Sequence, residues 1–187
     1  MFMHLVAFLQ FLMQRKIAFR TLKNYGIPEI LAIDFDGCLT DDYVFVDQNG
    51  TEFVKVSRKD GLGANRIKAM GVTIVIVSSE KNLVVAKRAQ KMQVEFIQDV
   101  KNKQLTLQEF ASIRGTSRHK IWAVGNDIND LGLFASAGLT LCPSDAADEV
   151  LAKAQVVLPI KGGAGILNFI ASFLENSQQK SNSEGFQ

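Results

Sequence analysis

Residues 29–42, EILAIDFDGCLTDD, end an apolar run in two aspartates one residue apart, Asp34 and Asp36, before a turn at Gly37. Side chains two apart on an extended chain point the same way, so both carboxylates can face one point. Two carboxylates that close repel each other. Either one keeps a proton, its pKa raised by its neighbour, or a cation sits between them. Hard oxygen ligands with positions left open for water and phosphate favour Mg²⁺. Other apolar runs also end in polar groups: VTIVIV in Ser78 and Ser79, KIWAV in Gly125, Asn126, Asp127 and then Asp130, and VEFI in QDVKNK, which carries Lys101 and Lys103. Carboxylates, a hydroxyl and an ammonium are the groups that proton transfer, phosphate neutralisation and metal binding require.

Other chemistries lack material. With His4 and His119 as the only histidines, a histidine metal cluster or a Ser-His-Asp triad has almost nothing to draw on. Cys38 and Cys142 stand far apart, outside any CxxC pattern, which argues against a disulfide framework or a zinc site and fits a reducing cytosol. Cys38 follows the aspartate turn without a base partner, so it is no candidate nucleophile. The net charge of +2, from 21 basic and 19 acidic residues with no basic block, argues against a nucleic-acid partner.

The positioning elements follow from the same pattern. Short β-rich runs at 30, 72, 94, 120, 139 and 156 alternate with segments of helical period at 61–70, 82–92, 103–113, 130–137, 145–154 and 165–174. That alternation predicts a central parallel sheet with helices on both faces, a Rossmann-like three-layer α/β/α sandwich. Ligands bind outside the carboxyl ends of such strands, which is where the polar groups fall. Two β-prone stretches around Asn49-Gly50 predict a β-hairpin insertion at about 43–56. The 187 residues, 47% of them hydrophobic, suit one core domain. Residues 1–28 read as an apolar extension, 29–175 as the domain and 176–187 as a disordered tail. The extension is too short for an unaided membrane span and lacks the basic start of a secretory signal. It is expected to be a helix packed on the body or on a partner subunit, with peripheral membrane contact as the alternative.

The motif DFDGCLT resembles the DxDGxLT opening of the haloacid dehalogenase superfamily, and residues 31–170 resemble its cap-less sugar-acid phosphatases. These act on 3-deoxy-manno-octulosonate 8-phosphate or nonulosonate 9-phosphates, and the phosphatase-like C-terminal domains of CMP-sialic acid synthetases are related. The resemblance implies that Asp34 is the nucleophile, that Asp36 is the general acid and base, that Ser78 binds a phosphoryl oxygen and that Lys103 neutralises charge. It implies a Mg²⁺ held by Asp34, the main-chain carbonyl of Asp36 and the loop GNDIND, with Asn126, Asp127 and Asp130 as candidates. It places Asp60, Gly61, Ser79 and Glu80 near the substrate.

Two departures bear on that expectation. Asn126 stands where relatives commonly carry a metal-binding aspartate, and Ala164 stands where the octulosonate enzymes carry an arginine. Spacing leaves no room for a lid, so an uncapped site is expected; the resemblance implies that the hairpin shields a neighbouring subunit's site within a homotetramer. The expected function is hydrolysis of an acidic sugar phosphate through an aspartyl-phosphate. The alternative is a weakened domain that serves assembly with a sugar-activating enzyme.

Overall fold

The computed structural model describes residues 2–23 and 25–184. In chain order the elements are α1 (Phe2–Lys23), β1 (Ile30–Ile33), β2 (Thr40–Val46), β3 (Glu52–Val56), α2 (Arg58–Ala69), β4 (Thr73–Val77), α3 (Leu83–Met92), β5 (Glu95–Ile97), α4 (Lys103–Ile113), β6 (Ile121–Val124), α5 (Leu131–Ser136), β7 (Leu139–Cys142), α6 (Asp148–Leu151), β8 (Val156–Val157) and α7 (Ile166–Glu184). Six strands form one parallel sheet in the order β5-β4-β1-β6-β7-β8, and β2 with β3 forms a separate antiparallel hairpin. This is the doubly wound fold with its hairpin insertion, and no cap domain interrupts the described residues.

The central strands are apolar on both faces because both faces are covered. Leu31, Ile33, Ile74, Ile76, Trp122 and Val124 point into the core shared with α1, α2, α3 and α7. Their alternates Ile30, Ala32, Val75, Val77, Ile121 and Ala123 point into the core shared with α4, α5 and α6. In α1, Ala18 and Leu22 are buried in the first core, and Phe19 meets Phe169 and Phe173 edge to face at 5.8 and 5.3 Å. No helix among the described residues is long and apolar enough to cross a membrane.

Side-chain caps fix where the helices start. Ser57 accepts from Lys59 N, Asn82 from Val84 N and Asn102 from Leu105 N, each satisfying an otherwise unpaired amide. Helices α2 and α7 pack closely because Gly63 has no side chain: a Cβ there would lie 2.3 Å from Asn168 N. Gly63→Ala must push α2 off α7, and it is expected to lower unfolding stability by roughly 1–3 kcal/mol, read from urea midpoints.

The tail expected to be disordered from 176 is instead helical: α7 continues to Glu184. Residues 185–187 lie outside the described residues. The helix expected at 145–154 shrinks to the four residues of α6, and the run at 156 contributes only two residues of strand before Pro159, which cannot donate to a ladder.

Candidate active site

The sheet order reverses at β1: the chain leaves it first toward β4 and later returns to β6 on its other side. Crevices of doubly wound sheets open at such a switch point. Asp34 follows β1 there, its N–H donating to Val124 O of β6 at 3.0 Å, and the Asn126–Asp130 loop follows β6 beside it. Lys103 comes from the first turn of α4. Its Nζ donates to Asp34 Oδ1 and to Asp130 Oδ1, each at 2.6 Å. All three side chains are buried. An ammonium at a helix N-terminus opposes the helix dipole, so the two carboxylates must hold it there. Asp130 Oδ2 accepts from Asn126 N at 2.9 Å and Asp127 N at 3.2 Å, which folds the loop around the ion cluster.

The turn between the aspartates is braced by residues that sequence reasoning did not single out. Buried Thr40 donates its Oγ1 proton to Asp36 Oδ1 at 3.4 Å and accepts from Gly37 N and Asp42 N at 3.1 and 3.2 Å. Gly37 has φ +71°, and a Cβ on it would lie 1.9 Å from Asn126 Nδ2. The loop before α7 closes from the other side. Gly163 N donates to Cys38 O at 2.9 Å, and a Cβ on Gly162 would lie 2.0 Å from Gly37 O. The glycine pair was visible in sequence, but its contact with the turn was not.

The electrostatics fit a site built to take more positive charge. Burial, reinforced by Asp130, raises the Asp34 pKa well above the carboxylate range, against the pull of Lys103. Burial, then the Glu80 charge, pushes Asp36 up to about 6. Burial favours a neutral Lys103, but the two carboxylates outweigh it and its pKa is raised. Burial and the nearby carboxylates keep the Cys38 thiol protonated, its pKa well above the usual range.

Among the described residues no three His, Cys, Asp or Glu side chains converge to hold a metal. Asp34 and Asn126, a carboxylate and an amide, follow the paired ends of β1 and β6, Ile33 and Val124, at one edge of the sheet. That hard-oxygen set suits a divalent cation that keeps several positions for water and phosphate. A cation beside Asp34 would also restore the ionised form that burial disfavours.

The remaining candidates divide. Ser78 lies just past Ile76, the sheet partner of Ile33, and so leaves the sheet at the same edge. It is buried, and its Oγ accepts from Glu80 N at 3.1 Å. Ser79 follows it, half-buried. Glu80 lines a cavity of about 290 Å³ with Asp36, Asp42, Glu52 and Asn82 over an apolar wall of Val44, Val54 and Val84. Asp127 is exposed, its Oδ1 accepting from Ile128 N at 2.7 Å. Asp60 and Gly61, expected near the substrate, sit in α2. Asp60 is turned instead to α7, where its buried Oδ1 accepts from Leu167 N at 2.8 Å as a cap from a neighbouring helix.

The sequence profile of the haloacid dehalogenase-like hydrolases matches residues 64–170. The chain belongs to that family. A haloacid dehalogenase family hydrolase of Streptomyces avermitilis is 37% identical, with a TM-score of 0.77 over 80% of this chain and 89% of that one. The 3-deoxy-D-manno-octulosonate 8-phosphate phosphatase KdsC of Yersinia pestis is 23% identical over 152 residues, 81% of each chain. The corresponding phosphatase of Moraxella catarrhalis, solved with magnesium, phosphate and KDO, is 23% identical with a TM-score of 0.79 over 89% of this chain and 97% of that one. As a haloacid dehalogenase-like hydrolase with named phosphatase relatives, the protein is a phosphoric monoester hydrolase.

Proposed function

We propose that the protein hydrolyses the phosphate monoester of an acidic sugar, 3-deoxy-octulosonate 8-phosphate or a nonulosonate 9-phosphate, with Mg²⁺, through an aspartyl-phosphate on Asp34. The observation that carries this is the ion cluster. A lone ammonium bridges the candidate nucleophile and Asp130, while Asp36, with its pKa near 6, stands two residues on. Asp34 attacks phosphorus as the bond to the sugar oxygen breaks, and the Asp36 proton passes to that oxygen. Asp36, now ionised, takes a proton from water, which attacks the phosphorus and releases phosphate and Asp34. Lys103 and the Ser78 hydroxyl offset charge on the phosphoryl oxygens. Asp34, the Asp36 carbonyl and Asn126 would hold the cation, which supplies charge neutralisation to nucleophile and phosphate when bound. The four carboxylates around the adjoining cavity accept hydrogen bonds from sugar hydroxyls, and the sugar's own carboxylate belongs at the end of its chain remote from the phosphate.

The hairpin supports a homotetramer. Tyr43, Val44, Phe45, Val46 and Phe53 are all more than half exposed, and an apolar strand pair left in water calls for a neighbouring subunit. The test of function is phosphate release from octulosonate 8-phosphate, nonulosonate 9-phosphates and simple sugar phosphates, with Mg²⁺ or EDTA. Metal-dependent turnover of one acidic sugar phosphate supports the proposal. No turnover by a folded oligomer supports the second reading, an assembly domain weakened by the neutral Asn126.

Asp36 also predicts a pH profile. The acid is charged above about 6 and no longer has a proton to give. Turnover of sugar phosphates is therefore expected to fall as pH rises through that value, while p-nitrophenyl phosphate, whose leaving group needs no proton, should show no such fall. Glu80→Gln removes a charge that raises the Asp36 pKa, so it should move the falling limb to lower pH.

A further inference from the structure

The parallel sheet has a second edge. Arg118 and His119 stand in the turn before β6, Gly138 and Thr140 at the start of β7, and Lys153 and Gln155 just before β8. The amino ends of three adjacent strands therefore gather them at the edge opposite Asp34. With Leu131 and Phe134 of α5 they line a cavity of about 660 Å³, large enough for a small organic molecule. Two cations and an imidazole line it, and no carboxylate does.

These groups are held in place. Lys120 N donates to Ser117 O at 2.9 Å and closes the turn, which presses on Gly138: a Cβ there would lie 2.6 Å from His119 Cα. Arg118 Nε donates to Ala137 O at 3.1 Å, capping the end of α5 and fixing the guanidinium. That bond leaves the terminal nitrogens of Arg118, like Lys153 Nζ, with no hydrogen-bond or ion-pair partner among the described residues. The His119 ring meets only Ser117 Oγ, at 3.5 Å. Gln155 and Thr140 are already bonded to each other, so recognition falls to the cations. Like charges brought to one cavity without an internal counter-charge are stabilised by a bound anion.

We propose that this cavity binds a small phosphate-bearing organic molecule, at a site separate from the catalytic crevice and independent of the substrate reading above. Arg118 and Lys153 take the phosphate dianion, His119 donates a further hydrogen bond, and Leu131 and Phe134 give the organic part an apolar wall.

The test is proton NMR of the full chain titrated with phenylphosphonate, a phosphate mimic whose C–P bond a phosphatase does not cleave. The titration is run at constant ionic strength and mildly alkaline pH, where the probe is a dianion. His119 reports locally: His4 is the only other histidine, and His119→Gln assigns the ring signals. The His119 resonances should shift saturably, with a half-point below about 1 mM. Lys153→Gln and Arg118→Gln should each raise that half-point roughly tenfold, as loss of one charge-assisted contact predicts. Should Arg118→Gln fail to fold for want of its bond to Ala137, the exposed Lys153 carries the test alone. A shift that never saturates, that sodium chloride reproduces, or that Lys153→Gln leaves unchanged overturns the proposal. Benzoate binding as tightly as the phosphonate also overturns it, since the cavity would then select no phosphate.

Discussion

Asp34→Asn is expected to give a folded protein whose turnover falls by ~10³-fold or more, because the amide oxygen cannot form the covalent intermediate. Stability should separate this loss from misfolding. Burial and Asp130 already disfavour the Asp34 charge, so a neutral isostere removes a repulsion, while Lys103 keeps its contact with Asp130 at 2.6 Å. The variant's Tm should match or exceed that of the wild type in metal-free buffer. Mg²⁺ should raise the wild-type Tm more than the variant's, since the substitution deletes the carboxylate among the candidate ligands. Activity retained within tenfold of the wild type would place the nucleophile elsewhere.

The cluster was legible because each member follows an apolar run, Asp34 directly and Lys103 and Asp130 at the end of the loop after it. In a parallel sheet all strands run the same way, so residues at run ends must gather at one edge, whatever their separation in sequence. Asp34, Lys103 and Asp130 could thus be brought together on paper, and the structure puts one ammonium between the other two. The strands were readable for the same reason. Continuous apolar runs such as ILAI and TIVIV need cover on both faces, and two separate cores provide it.

What was not legible depends on contacts between distant backbones. Gly162 and Gly163 stand just before the helix expected at 165–174; only the fold shows them pressed on the carbonyls of Gly37, Cys38 and Thr40. Thr40 was part of the motif, yet its hydroxyl serves three partners that spacing alone does not reveal. Asp60 also has a contact that spacing could not show. The acid of DGLG was expected near the substrate; the fold brings the N-terminus of α7 against it, and Leu167 N donates to its carboxylate. The polar segment after 175 carried few apolar residues and so read as tail, whereas α7 continues helically through it to Glu184.

Lys103→Met is expected to be the most damaging single change for stability. The ammonium is 4% exposed and answers two carboxylates that are no more than 6% exposed. Deleting one side of a buried ion cluster leaves charges that neither water nor protein compensates, at a cost of roughly 3–5 kcal/mol in unfolding free energy. The pH dependence of that loss has a definite sign. The ordinary Asp34 value is 3.8, burial raises it in the folded state, and Lys103 holds it down. Without the lysine the folded-state value rises further. Between the ordinary and raised values the folded protein binds more protons than the unfolded chain, so stability increases as pH falls through that window. Urea unfolding at mildly acidic and mildly alkaline pH should therefore show the variant recovering part of its deficit on the acid side. Activity should not recover with it, because a protonated Asp34 is no nucleophile and the phosphoryl charge has lost its cation. A deficit under about 1 kcal/mol at neutral pH, the range of exposed ion pairs, would mean that water reaches the cluster and that Lys103 serves catalysis without holding the fold.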